Sequence, residues 1–153
     1  MKKVETGQHI GFTGTRKGMA RFQYKSVLEW EVWRMLEGFP TFVHHGDCIG
    51  ADDDFDDIAH AYYAKVIIHP PINSLYRAWC PNFYERRPVK DYSPRNKDIV
   101  NESHIMIACP KKMIEEIQSG TWSAIRYARK QGKTIHFFWP DGSKTIEYNE
   151  KEL

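Results

Sequence analysis

The chain has 153 residues, 41% of them hydrophobic and 14% aromatic, with 22 basic against 20 acidic residues and a formal charge of +2. That length and apolar content fill one core and exclude a disordered chain. The near-balance of charge lacks the basic excess that duplex nucleic acid demands, while small anionic ligands stay open.

Cys48, Cys80 and Cys109 are odd in number and have no CxxC spacing, which points away from a disulfide framework or a zinc knuckle and towards a reducing cytoplasm. The opening Met-Lys-Lys-Val-Glu-Thr-Gly leads into no apolar run long enough for a signal peptide or a membrane span. The expectation is a soluble, cytoplasmic protein with no membrane partner.

In chain order, residues 9–13 (His-Ile-Gly-Phe-Thr) read as a short strand that runs into the loop "GFTGTRKG" at 11–18. Leu28, Val32, Met35 and Leu36 then recur at helical spacing and predict one helix within 19–37. Residues 41–45 form a second strand candidate ending in "GDCIGADDDFDD", followed by a helix with Phe55, Ile58, Ala59 and Tyr62 on one face. "KVIIH" at 65–69 is a third strand, stopped by Pro70 and Pro71, which have no N–H to donate. Residues 70–92 read as an irregular loop carrying Trp79, Phe83, Tyr84, Arg86 and Arg87; a loop of this length serves as a lid or an oligomer contact. A short helix is expected from Pro94 to about Asn101 with Ser93 as N-cap. Then follow a strand at 104–108, a helix at 121–130 stopped by Gly132, a strand at 133–139, and a turn at Asp141-Gly142 with a final extended piece.

Strands that alternate with helices argue for a parallel sheet covered on both faces, with ligands at the carboxyl ends of the strands near the point where strand order reverses. Three glycine loops fall there. They are Thr13, Gly14, Thr15 and Arg16; Gly46, Asp47, Gly50 and Asp52; and Ser119, Gly120, Thr121 and Ser123. Glycine lets backbone approach phosphate oxygens, and a following helix N-terminus offers N–H groups and a favourable dipole. For any one loop alone, service as a tight strand-to-helix turn explains the glycines equally well. Arg16 in such a turn suits bidentate contact with phosphate or carboxylate. Asp47 and Asp52 are candidates to accept from a ribose or to cap their loop.

The acidic run at Asp52, Asp53, Asp54, Asp56 and Asp57 lacks calcium-loop spacing and reads as first-turn charge that offsets the helix dipole. His44, His45, His60 and His69 form no HExxH or other tight ligand pattern, so they read as core or surface histidines and no metal site is expected.

The stretch "SPRNKDIV…HIMIACP…SGTWSAIRYARKQGKTIHFF" at 93–138 resembles the SLOG superfamily of nucleotide-binding domains, which includes the DprA/Smf proteins and the LOG phosphoribohydrolases. The features that carry the likeness are Arg95-Asn96 before a helix, the strand Ile105 to Ala108, the loop Ser119-Gly120-Thr121, and Ala128 followed by Gly132-Lys133. "GFTGTR" and "HGDCIGAD…AH" extend it back to about residue 8. The resemblance implies one domain over 1–153 with a Rossmann-like, doubly wound, mostly parallel five-stranded sheet and helices on both faces. It places Arg95 and Asn96 beside the three loops in a nucleotide site.

LOG-type hydrolases carry a glutamate in PGGxGTxxE; here Thr121 is followed by Trp122, Ser123 and Ala124, so Ser123 stands in that region with no carboxylate. A serine neither stabilises an oxocarbenium-like centre nor activates water at neutral pH. The expectation is therefore a domain that binds a nucleotide or nucleotide-derived signal without turnover, as sensor or sponge, with no cofactor. The alternatives are a LOG-like N-glycosidase that recruits Glu115 or Glu116, and single-stranded DNA binding of DprA type. Homo-oligomerisation is expected from the aromatic loop and from the family's habit of pairing.

Overall fold

The computed structural model describes residues 7–149, so the outermost residues of the expected 1–153 domain lie outside the described ones. Its elements are β1 (Gln8–Gly14), α1 (Arg21–Leu28), α2 (Val32–Met35), β2 (Thr41–His45), α3 (Ala51–Ala61), β3 (Lys65–Ile68), β4 (Glu85–Arg86), α4 (Tyr92–Asn101), β5 (Ile105–Cys109), α5 (Gly120–Lys130), β6 (Thr134–Phe138) and β7 (Lys144–Glu147).

The strands form one sheet in the order β4-β3-β2-β1-β5-β6-β7, parallel throughout except for β7. The chain winds outward from β1 through β2 to β3, then returns to lay β5 on the other side of β1. Strand order thus reverses between β1 and β5, where Gly14 pairs with Cys109 at the carboxyl ends. This is the crevice in which open α/β sheets hold ligands.

Side chains on successive strand positions point to opposite faces, and each face has its own core. Ile10, Phe12, Val43, Val66 and Ile68 pack with Trp30, Trp33, Phe55 and Ile58 on one side. Met106, Ala108, Ile135 and Phe137 pack with Ile99, Val100, Trp122, Ile125 and Ala128 of α4 and α5 on the other. The doubly wound, mostly parallel fold is as expected, with seven strands instead of five. The two extra strands are a two-residue β4 within the 70–92 segment, where Ile67 pairs with Glu85, and the antiparallel β7. The turn at Asp141-Gly142 leads into β7: Gly142 has φ of +89°, and Asp141 accepts from Ser143 N at 2.9 Å.

Three local expectations are corrected. The single helix of 19–37 is two helices. Trp30 N donates to Val27 O at 3.2 Å, and Trp33 Nε1 donates to the same carbonyl at 2.9 Å, which closes α1 in a tight turn and buries both indoles. The buried side is accordingly Val27, Trp30 and Trp33, while Met35 is exposed. The helix expected from Pro94 starts at Tyr92 with Asp91, not Ser93, at the N-cap position; Pro94 still lies in the first turn, where a missing N–H costs nothing. The 70–92 segment also carries more order than an irregular loop, with a 3₁₀ turn at Ser74–Tyr76 and bridges Cys48 to Arg77 and Pro71 to Lys90.

Candidate functional site

A cleft of about 530 Å³ opens at the strand-order reversal. The β1 exit loop forms one wall. Thr15 O accepts from Gly18 N at 3.1 Å and from Ala51 N at 2.9 Å, so the loop closes on itself and on the start of α3. Gly50, with φ of +94°, packs its Cα on the Arg16 backbone, where any side chain would collide. The first two loops are locked together by this contact, and Thr13, Gly14, Thr15, Arg16 and Lys17 face the cleft.

The opposite wall is the N-terminus of α5. Ser119 Oγ accepts from Trp122 N at 3.3 Å as N-cap, and the first turn holds no acidic residue. Gly120 and Thr121 line the cleft beside Ser119, and a Cβ at Gly120 would meet nothing within 4 Å. Packing does not require glycine here; the open face leaves room for a ligand against the helix end, where unpaired N–H groups favour an anion.

Arg95 forms the floor. Its guanidinium is buried, donates through Nη1 to Gly46 O at 2.6 Å and His69 O at 3.1 Å, and through Nε to Asn96 Oδ1 at 2.8 Å. These bonds tie α4 to the ends of β2 and β3, so Arg95 works first as a strut. Arg16 is exposed instead, with its Cζ 4.1 Å from the Tyr76 ring centroid and 5.1 Å from that of Tyr92.

Two buried acidic groups have distinct roles. Asp52 lines the cleft and accepts from Cys48 N at 3.1 Å; burial pushes its carboxyl pKa up, against the pull of His45 and Arg95. Asp47 has φ of +52° and lies under the chain, where it binds Arg77 Nε at 2.7 Å and Cys80 N at 2.8 Å. It anchors the 70–92 segment.

Of the fourteen sequence-derived residues, the cleft gathers Thr13, Gly14, Thr15, Arg16, Gly46, Asp52, Arg95, Asn96, Ser119, Gly120 and Thr121. Asp47, Gly50 and Ser123 do not line it: the first two build the loop, and Ser123 is exposed on α5. Sequence reasoning missed Lys17, Cys48, Tyr92, Lys111 and Gln118 as lining residues. Lys17, Cys48 and Gln118 adjoin Arg16, Asp47 and Ser119 in sequence, Tyr92 lies one helical turn before Arg95, and Lys111 lies in an excursion after β5 without a motif. In that excursion Glu116 also lines the cleft, 3.7 Å from Lys111 Nζ, while Glu115 pairs with Arg126 at 2.9 Å outside it. Hydrogen bonding from Arg126 holds the exposed Glu115 carboxyl below its usual range.

A chain of buried histidines crosses neighbouring strands outside the cleft lining. His9 Nδ1 meets His44 Nε2 at 2.7 Å, and His44 Nδ1 meets His69 Nε2 at 2.9 Å. Burial drives His44 down to about 3, with His9 and Arg87 adding to the effect.

No family model and no curated protein matches the sequence. Among solved structures, the molybdenum cofactor binding protein of the phototrophic bacterium Rippkaea orientalis is similar, with a TM-score of 0.64 and 19% identity over 88% of this chain and 77% of that one. The molybdenum cofactor carrier protein of Chlamydomonas reinhardtii follows with 0.61 and 18% over 85% and 76%. DNA processing protein A of Helicobacter pylori, described for its single-stranded DNA binding mode, has 0.58 and 17% over 85% of this chain and 64% of its own. These likenesses show a shared fold, a Rossmann-like α/β domain with a mostly parallel sheet. No helix among the described residues is long and apolar enough to cross a membrane.

Proposed function

We propose that the cleft holds a nucleotide or nucleotide-derived molecule bearing phosphate and releases it unchanged, in the manner of a sensor or a sequestering sponge. The observation that carries this reading is the acid-free N-terminus of α5 at Ser119 to Thr121, which shares one cleft with the Thr13–Lys17 loop at the strand-order reversal. Arg16, Lys17 and Lys111 supply charge for an anion, and about 530 Å³ suits a ligand of nucleotide size. Neighbours described as binding or carrying molybdenum cofactor support a holding role on this fold. Thr121 is followed by Trp122, Ser123 and Ala124, so the first turn of α5 offers the cleft no carboxylate, which supports holding over turnover.

A second reading, N-glycosidic cleavage, is favoured by one observation, the Glu116 carboxylate in the cleft wall. Pairing of two copies through the 70–92 segment, where Ile72, Leu75 and Trp79 are exposed, belongs to the proposal and is checked by light scattering.

The test is incubation with a panel of nucleotides, including cyclic and ADP-ribose-type signals, followed by chromatography before and after heat denaturation. A nucleotide that disappears from solution and returns intact supports holding. Free base and sugar phosphate that vanish with Glu116→Gln support cleavage, and a panel left entirely in solution rejects both.

A further inference from the structure

The histidine chain asks for an explanation that the cleft does not give. His9, His44 and His69 come from β1, β2 and the residue after β3, three neighbouring strands, and all three are buried. Apolar side chains would fill such positions without the cost of desolvating polar nitrogens. Gly11, the register partner of His44, has no side chain, and a Cβ there would strike Ser103 and Met106, so the C-terminal end of α4 comes close to this face of the sheet. Glu102, at that end, brings a carboxylate: one ligand atom from each of His44, His69 and Glu102 lies within 4.8 Å of the others.

We infer that His44, His69 and Glu102 form a binding site for a transition metal ion of the zinc class, separate from the ligand cleft. Two imidazoles and one carboxylate are a zinc donor set that leaves a fourth position for water. The outer contacts agree. With His44 Nδ1 on the metal, its Nε2–H donates to His9 Nδ1, the second bond that fixes tautomer and ring orientation in metal-ligating histidines. Ligand nitrogens about 2.0 Å from a tetrahedral zinc stand about 3.3 Å apart. The present 2.9 Å between His44 Nδ1 and His69 Nε2 therefore needs to open by only a few tenths of an ångström. Arg87 holds Glu102 Oε1 through Nε at 2.9 Å and Nη2 at 2.6 Å, and its charge is met by Glu85 as well.

The other convergent set, His45, Asp56 and Cys80, is a poorer host. His45 Nδ1 accepts from Asp47 N at 3.0 Å, so the neutral ring carries its proton on Nε2, the atom that meets Asp56 Oδ1 at 2.9 Å. A metal on Nε2 would shift the proton to Nδ1 and set two N–H groups against each other.

The experiment titrates the chelator-stripped full chain with Co²⁺ and follows the visible spectrum, then displaces the ion with Zn²⁺. The expected result is one equivalent bound with d–d bands and without the intense sulfur-to-cobalt band. Glu102→Gln should weaken binding by about tenfold or more, with circular dichroism unchanged, whereas Cys80→Ser should leave affinity unaltered. His69→Gln serves as the second ligand variant should Glu102→Gln unfold. Absence of binding at micromolar Co²⁺, a sulfur-to-cobalt band, or unchanged affinity in a folded ligand variant would overturn the inference.

Discussion

Arg95 Nη1 donates to Gly46 O at 2.6 Å, and the same guanidinium fills the space that a Gly46 side chain would need. The glycine of the second loop is thus explained by its neighbour as well as by any ligand. Gly46→Ala should overpack a buried contact and cost on the order of 1–3 kcal/mol. In a chain of this size that lowers the melting temperature by several degrees, roughly 2–4 °C per kcal/mol. An unchanged melting curve would show that Arg95 moves aside freely.

Gly120 gives the opposite case, since a Cβ there meets nothing. Gly120→Ala should leave thermal stability level or slightly raised, because alanine suits a helix better than glycine. The added methyl group intrudes where the ligand would approach the α5 N-terminus, so nucleotide affinity should fall by about tenfold, near 1.4 kcal/mol. Isothermal titration beside a melting curve separates the two effects. Affinity equal to that of the unaltered protein would remove Gly120 from the site.

Arg16 and Arg95 separate a ligand contact from a strut. Arg16 is exposed and its guanidinium lies against the Tyr76 and Tyr92 rings, so Arg16→Ala should leave the fold intact and weaken phosphate-bearing ligands by about 10- to 100-fold, the range of one charge-assisted hydrogen bond. Arg95→Lys keeps the charge but cannot reproduce the fork that reaches Gly46 O, His69 O and Asn96. Its first effect should be a lower melting temperature. If Arg95→Lys melts as the parent does and only loses affinity, Arg95 is a ligand residue and not a strut.

The strands and most cleft residues were legible because short apolar runs, two of them ending in glycine loops, alternate with helical stripes and leave few topologies. What escaped depends on partners distant in sequence. Trp30 and Trp33 broke a helix whose spacing looked continuous, through their contacts at Val27 O. β4 is two residues long and exists only because β3 offers an edge. Asp47 looked like a ribose acceptor, yet its positive φ turns it under the chain to Arg77, thirty residues away. The histidines appeared scattered because residues 9, 44 and 69 become neighbours only when three parallel strands align. No local spacing encodes that.

The same alignment makes stability depend on pH. In metal-free protein, with chelator present, His44 is held neutral to about 3, against 6.5 for a free imidazole; burial is the main cause, followed by His9, Arg87, His45 and His104. Above pH 6.5 the ring is neutral in both folded and unfolded chains and contributes no slope. Between 6.5 and about 3 the unfolded chain binds a proton that the folded one refuses, so each unit of acidification should cost up to about 1.36 kcal/mol. His104 and His136, also lowered chiefly by burial, add in the same direction. Denaturant unfolding should therefore show stability independent of these groups above neutrality and falling steadily as pH drops from about 6 to about 4. Saturating Zn²⁺ should steepen that fall, because bound imidazoles must shed the metal before they take protons. A stability profile that stays flat through this window in the metal-free protein would mean that His44 is hydrated in solution and that the sheet face beneath α4 is open.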